Sequence, residues 1–314
     1  MNRDYGDRLY LSEGQEAVRV RSRCRIKYRV LTAAVLIFLS ALFINDDRSA
    51  SSRDHDALAP ERYIFGVVPQ FEQRKLYATW QPIIKELEKR TGLEFDLVTT
   101  LNIQEFEKEF VRGGFDFVYM NPYYMLKANS AQGYIPLVRD EAPLRGILVV
   151  LKDGPIQEVA DLNGKVVAFP SPNALGASLL VRADLERLYH IRVKPVYVKT
   201  HSSVYLHVVK GLAAAGGGVE KSLQEQDAAI RDSLQIIYTT REMPSHPVAA
   251  HPRVPEAQRE KVRRALIDMG NTAVGRRLLS KVPVKQFVSA SIDDYRVMLG
   301  WGLEDYWDTS GTED

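Results

Sequence analysis

A chain of 314 residues with 45% apolar and 26% charged content is long enough for one large domain or two lobes with real cores, which excludes global disorder. The net charge of +2 is near neutral and, apart from one block near the start, the basic residues are spread out, so there is no electrostatic case for nucleic acid. The single Cys24 cannot close an intramolecular disulfide, and it excludes a cysteine-rich metal site downstream.

The first sixty residues differ in kind from the rest. "RVRSRCRIKYR" places Arg19, Arg21, Arg23, Arg25, Lys27 and Arg29 directly before the apolar run from Val30 to Ile44. Basic residues followed by an apolar run predict export with the N-terminus left in the cytoplasm. The run is shorter than the roughly 17 to 25 residues of a usual spanning helix, which suits a signal-peptide core. Against cleavage, the nearest small-x-small site is Ala57-Leu58-Ala59, far downstream and followed by Pro60. Both an uncleaved signal anchor and a cleaved signal peptide put the remainder on the same side of the membrane. Cys24 precedes the apolar run and so cannot be the lipid-bearing cysteine of a lipoprotein. The polar stretch "NDDRSASSRDHDALAPER" reads as a linker.

From Tyr63 onward short β-rich runs alternate with longer amphipathic ones, the pattern of an α/β sheet. Strands are expected at Tyr63 to Val68, Glu94 to Thr99, Phe115 to Met120 and Tyr134 to Arg139, and the helices between them end at glycine. A second set follows at Arg145 to Leu151, Lys165 to Phe169, Val193 to Val198 and Leu234 to Thr239, with helices near 177–190, 202–211 and 220–230. The stretch from Glu256 to about Trp307 is mainly helical by its spacing and must pack on the first unit. Two tandem α/β units therefore predict two lobes, the first discontinuous, with crossings near 140–146 and 239–248. No solenoid-period repeat is visible, and "AAAGGG" is the one low-complexity stretch.

In open α/β units ligands collect beyond the carboxyl ends of the strands, where helix N-termini present free N–H groups. Asn121-Pro122-Tyr123-Tyr124 follows the third strand; Asn is a preferred N-cap and Pro suits the first helical position. "PSPNALGAS" follows Phe169, and its two prolines, Asn173 and Gly176 hold an ordered loop ahead of a helix starting near Ala177 or Ser178. Thr200-His201-Ser202-Ser203 follows the seventh strand, with a serine able to cap the next helix. A helix N-terminus carries about half a positive charge, and hydroxyl and imidazole groups there make an anion site. Helix capping with no ligand remains the competing reading for each cluster. Gly216 to Gly218 either let backbone approach a ligand or a neighbouring strand, with Gly217 central, or form a flexible turn.

Enzyme constellations are mostly absent. Ser178 in "GASLL" lacks the second glycine of a G-x-S-x-G elbow. His201 and His207 do not share a helix face, His246 and His251 lie in a Pro-rich loop, and no H-E-x-x-H occurs. "GGGVEKS" lacks the spacing of a phosphate-binding G-x-x-x-x-G-K-[ST] loop. Binding without chemistry, metal or cofactor is the expectation, with a hydrolase as the remote alternative.

"GGFDFVYMNPYYMLKA", "VADLNGKVVAFPSPNALGAS", "YVKTHSSVYLHVVKG" and "IIYTTREMPSHPVAAHP" together make the stretch from about Tyr63 to Met269 resemble the periplasmic phosphate/phosphonate/phosphite-binding proteins of ABC transporters. The resemblance implies an α/β, two-lobed type II periplasmic binding protein fold. It also implies that Asn121 to Tyr123 form the first-lobe rim, and that His201 and the hydroxyl after it grip the ligand. Where phosphonate binders usually carry a Ser-Thr-Ser-Gly run, this chain has Ala174-Leu175-Gly176-Ala177, so two hydroxyl donors are missing. Similar domains also serve as sensing partners of membrane histidine kinases.

The expected organisation is a basic cytoplasmic N-region at 1–29, a signal anchor or signal peptide at 30–44, a linker at 45–61, lobe 1 at 62–143 and 244–314, and lobe 2 at 144–243. The expected ligand site comprises Asn121, Tyr123, Ser171, Asn173, Thr200, His201, Ser202, Ser203 and Gly217. The expected function is capture of a small, oxyanionic ligand in the periplasm for an ABC transporter permease. The alternative is a membrane-anchored sensory domain partnering a sensor kinase.

Overall fold

The structure, a computed structural model, describes residues 62–310 except Pro283. The basic N-region, the apolar run and the linker lie outside the described residues. The chain begins with β1 (Arg62–Val67), α1 (Gln73–Thr91), β2 (Glu94–Val98), α2 (Ile103–Val111), β3 (Phe117–Tyr119), α3 (Pro122–Gln132) and β4 (Ile135–Asp140). It continues through β5 (Gly146–Leu151), β6 (Val166–Phe169), a π-helical turn at Leu175–Leu179 that runs into α4 (Leu180–Tyr189), β7 (Lys194–Tyr197), α5 (His201–Val209) and β8 (Ala215–Val219). Then come α6 (Glu220–Gln224), α7 (Ala228–Arg231), β9 (Leu234–Thr239), β10 (Pro247–Ala250), α8 (Glu256–Met269), α9 (Ala273–Leu279), β11 (Phe287–Ser289) and α10 (Asp293–Arg296). Two 3-10 turns, Val297–Trp301 and Leu303–Tyr306, follow.

The strands form two sheets, one six-stranded in the order β11-β4-β10-β3-β1-β2 and one five-stranded in the order β7-β6-β8-β5-β9. In the first, β1 runs parallel to β2 and β3, while β10 is antiparallel to β3 and β4. In the second, β6 runs parallel to β7 and β8, while β5 is antiparallel to β8 and β9. The chain passes from the first sheet to the second between β4 and β5, and returns between β9 and β10.

Apolar periodicity places the helices. In α1, Leu76, Trp80, Ile83, Ile84 and Leu87 fall on one face and are buried, and the helix stops at Gly92, whose φ of 70° is open to glycine at no steric cost. Around the first sheet Phe65 packs tilted on Trp80, edge-on to Phe95 and stacked on Phe117, and Phe95 meets Phe117 edge-on. Leu148, Val150, Val167, Phe169, Val181 and Leu185 fill the second. Each such side chain contributes about 1.5–3 kcal/mol when fully buried.

The glycine run is a strand. A Cβ on Gly217 would lie 1.9 Å from the Ala177 carbonyl oxygen, and one on Gly218 would lie 2.1 Å from the Tyr205 hydroxyl. Glycine there lets α5 close on one face of β8 while the turn before α4 closes on the other. The flexible-turn expectation is thereby corrected: three glycines suit a strand where neighbours leave no room for side chains. The helix expected at 220–230 is broken into α6 and α7, because Asp227 takes an extended conformation (φ −54°, ψ 144°) at the start of α7. The segment after Glu256 contributes a strand, β11, and its last residues reach both units: Arg187 of α4 donates to the Trp301 and Gly302 carbonyls at 2.7 Å each, while Lys127 of α3 pairs with Glu304 at 2.6 Å.

Candidate functional site

Three helix starts border one compartment. Asn121 caps α3, its side-chain oxygen accepting the Tyr124 N–H at 2.9 Å, with Pro122 at the first helical position. Leu175, Gly176 and Ala177 form the first turn of the π-helical segment that leads into α4. His201 opens α5, which Thr200 caps by accepting the Ser203 N–H at 3.2 Å. Lys199, just before that cap, sits at φ 74°, a left-handed conformation that costs a residue with a Cβ about 1–2 kcal/mol. Asn121, Ala174 to Ala177 and His201 line a space of about 430 Å³ together with Gln70, Tyr124 and His246.

A second, larger space of about 690 Å³ shares Gln70, Leu144, His201, Val219 and His246 with the first. Gln70 Nε2 donates to His246 Nε2 at 2.8 Å, so this pair and His201 stand where the two compartments meet. His246 stacks on Tyr119 with ring centroids 5.3 Å apart. His201 Nδ1 is 3.3 Å from Ser222 Oγ, and the His201 N–H donates to the Gln70 carbonyl at 3.5 Å, joining the two lobes.

Burial decides the charge of both imidazoles. Removal from water lowers His201 to about 4 and His246 to about 3, the latter helped by Lys221 and by His201. Both are neutral at pH 7, with the proton of His246 on Nδ1 because Nε2 accepts from an amide that can only donate. Lys221 pairs with Asp140, a carboxylate that also accepts the N–H groups of Lys285 and Gln286 at 3.1 and 3.2 Å. Lys75 pairs with Glu225 at 3.1 Å across the cleft and lies over the Phe71 ring.

The other expected site residues stand behind this lining. Tyr123 is buried and donates its hydroxyl to Glu304. Asn173 joins the lobes: its Nδ2 donates to both Glu107 oxygens at 3.2 and 3.1 Å and to the Asp308 carbonyl at 2.8 Å, and its Oδ1 accepts the Asp308 N–H at 2.9 Å. Burial raises Glu107 to about 7, against the opposing bonds from Tyr124 and Asn173 and with Asp308 adding to the rise. Ser171 is buried with its Oγ unpartnered. Thr200, Ser202 and Ser203 lie at the start of α5 but line neither space, and Gly217 is taken up by strand packing. Gln70, Tyr119, Ser222, Ser245 and His246 line the cleft without having been expected there. The "PSHP" segment carries the only local signal, a buried histidine between prolines ahead of a strand. Among the described residues, no group of three or more His, Cys, Asp or Glu side chains is arranged to hold a metal.

Two α/β units holding between them a cleft bordered by helix N-termini define a solute-binding protein of the type II periplasmic fold. A model of the periplasmic substrate-binding protein of phosphonate ABC transporters matches residues 65–295, and the chain belongs to that family. The phosphate-import protein PhnD of Mycolicibacterium smegmatis is 23% identical over 212 residues, covering 62% of this chain and 66% of that protein, just under two thirds of its length. A binding protein component of an ABC phosphonate transporter from Pseudomonas aeruginosa matches with a TM-score of 0.72 at 14% identity, over 82% of this chain and 90% of that one. PhnD1 from Prochlorococcus marinus, in complex with methylphosphonate, matches with a TM-score of 0.70 at 16% identity, over 78% of this chain and 98% of that one. At such identities the structural likeness establishes the fold.

Proposed function

We propose that this chain captures a small oxyanion in the periplasm as the binding component of a phosphonate-type ABC transporter, without catalysing a reaction. The observation that carries the reading is the meeting of three helix starts, at Asn121, Leu175 to Ala177 and His201, on one compartment. First-turn N–H groups have no intrahelical partner and each N-terminus favours negative charge, so three of them converging suit an oxyanion. His201, His246 and Gln70 then supply directional bonds at its edge, while Thr200 caps α5 and Tyr123 and Asn173 tie α3 and the loop before α4 to Glu304 and Asp308.

Transport is preferred to sensing because the family model and the relatives from M. smegmatis and P. aeruginosa are transport components by name. Val30 to Ile44 would hold the protein at the inner membrane as an uncleaved anchor. Among the described residues no helix is long and apolar enough to cross a membrane. Intact mass from a membrane fraction decides it: a species beginning between about Ala41 and Pro60 means cleavage.

A thermal-shift panel of phosphate, phosphite, alkylphosphonates, sulfonates and carboxylates at equal ionic strength tests the ligand class. A ligand at a hundredfold over its dissociation constant stabilises by about 2.7 kcal/mol, which for a chain of this size is roughly 5–10 °C. No shift with any anion would sink the oxyanion reading.

A further inference from the structure

Residues 301–308 tie the two lobes together away from the ligand compartments. They are rooted in the first lobe, where Tyr295, Met298 and Leu303 are buried in the core and Trp307 meets the Tyr123 and Tyr124 rings of α3 at 5.6 and 5.9 Å. Glu304 adds to that root by accepting from Tyr123 and Lys127. The same segment grips the second lobe. Arg187 of α4 donates to the Trp301 and Gly302 carbonyls at 2.7 Å each and to Asp305 at 2.8 Å, and its guanidinium lies 4.8 Å from the centre of the Tyr306 ring. Arg182, also on α4, donates to the Tyr306 carbonyl at 2.9 Å. Asn173, in the loop before α4, exchanges two bonds with the Asp308 backbone, and Arg241, just beyond β9, lies over the Trp301 ring.

Moving α4 away from α3 as the cleft opens would break one of these two sets of contacts. None of residues 301–308 lines either compartment, so their grip does not depend on a ligand. We propose that residues 301–308 are a strap, rooted in the first lobe and closed on α4 and the Asn173 loop of the second, that restrains opening of the cleft. The covalent crossings, between β4 and β5 and between β9 and β10, leave two lobes free to hinge, and the strap is a third, non-covalent tie. By keeping the helix starts at Asn121 and at Leu175 to Ala177 close to each other beforehand, it lowers the ordering cost that ligand binding has to meet.

Double electron–electron resonance on the full-length chain, without added ligand, tests the strap. Spin labels go on Arg74→Cys and Lys210→Cys, exposed positions in the first turn of α1 and at the end of α5, one on each lobe, in a Cys24→Ser background. The parent is expected to give one narrow distance distribution. Arg187→Ala removes three strap bonds at a residue that lines neither compartment, and is expected to broaden the distribution toward longer distances, with the open population rising about fivefold. Arg187→Met, which keeps an apolar stem against Tyr306, is the second variant should the alanine change impair folding, and is expected to act in the same direction. Arg253→Ala is the control. Its bonds to Asp116 and to the Gly113 carbonyl, at 2.6 and 2.5 Å, are as short but lie within the first lobe, so removing them should leave the distribution unchanged. Melting curves confirm folding. A parent already as widely open as the Arg187 variants, a distribution unmoved in them, or equal broadening in Arg253→Ala overturns the strap, and each of these outcomes leaves the oxyanion reading standing.

Discussion

Gln70 and His246, 176 residues apart in sequence, meet through a 2.8 Å hydrogen bond at the junction of the two compartments. The amide nitrogen of Gln70 can only donate, so His246 Nε2 must be an unprotonated acceptor. Charging His246 would break this bond unless the amide turned to present its oxygen. The bond and burial thus favour the same neutral imidazole, and a bound oxyanion would oppose both.

Proton uptake on binding is the first prediction. In the free protein His201 and His246 titrate at about 4 and about 3. An adjacent anion raises both, so the complex binds protons more tightly than the free protein does and affinity rises as pH falls. The window runs from the raised value of the complex down to about 4 for His201 and about 3 for His246, with a limiting slope of about tenfold per pH unit for each. Titration calorimetry in buffers of different ionisation enthalpy counts the protons, once the ligand's own proton is subtracted. Zero uptake between pH 7 and 5 would mean that both imidazoles stay neutral in the complex over that range and that the predicted linkage is absent.

Separate roles within one cluster give the second prediction. His201 lines both compartments, whereas Ser202 lines neither. His201→Ala is expected to weaken anion binding roughly tenfold or more, since hydrogen bonds to charged groups contribute about 1.5–3 kcal/mol. Ser202→Ala is expected to change it less than threefold. Equal losses, read by calorimetry on variants with unchanged melting curves, would place the serine hydroxyl in the site as well.

How far the site could be read from sequence depended on whether the signal was local. Asn121 and His201 were visible because a cap, a proline or a cluster of hydroxyls beside a strand end is written within four residues. Gln70, Tyr119, Ser245 and His246 were not, since their convergence depends on β10 slotting antiparallel between β3 and β4. β10 is a four-residue "PVAA" run, too short for periodicity to announce it. β8 was hidden for the opposite reason. Its glycines carry no propensity for a strand, and only the approach of Ala177 and Tyr205 explains them. Most strand positions, by contrast, followed directly from runs of β-branched and aromatic residues.

Glu107 supplies the third prediction. It is 2% exposed, joins both lobes through Tyr124 and Asn173, and has its carboxyl raised to about 7 by burial. Because the folded value exceeds the unfolded one, the group's contribution to stability is fully present below about 4.5 and is lost as pH rises through about 7. The full span corresponds to about 3 kcal/mol. Histidines 201 and 246 act in the other direction, their contribution being present above about 6.5 and lost toward pH 4. Glu107→Gln removes only the first component. Urea unfolding from pH 5 to 6.5 should therefore show a gain of stability with rising pH in both chains, because two histidines outweigh one carboxyl, and the gain should be larger in the variant than in the parent chain. An identical pH profile would show that Glu107 is ionised throughout.

The glycine strand supplies the last prediction. A methyl group on Gly217 would fall 1.9 Å from the Ala177 carbonyl oxygen and 2.5 Å from the Phe169 ring. The ring can tilt, but the carbonyl belongs to the turn that opens α4 and cannot retreat without moving Leu175 and Gly176 out of the cleft lining. Overpacking of this kind costs about 1–3 kcal/mol, and more when backbone must shift. Gly300 is the control, because a Cβ there meets nothing within 4 Å. Gly217→Ala is expected to lower stability by about 3 kcal/mol and to weaken anion binding, while Gly300→Ala stays within about 0.5 kcal/mol of the parent chain, the usual range for a substitution that disturbs no packing. If Gly217→Ala keeps full stability but loses binding, its Cα approaches the ligand itself and the packing account of the glycine run is wrong.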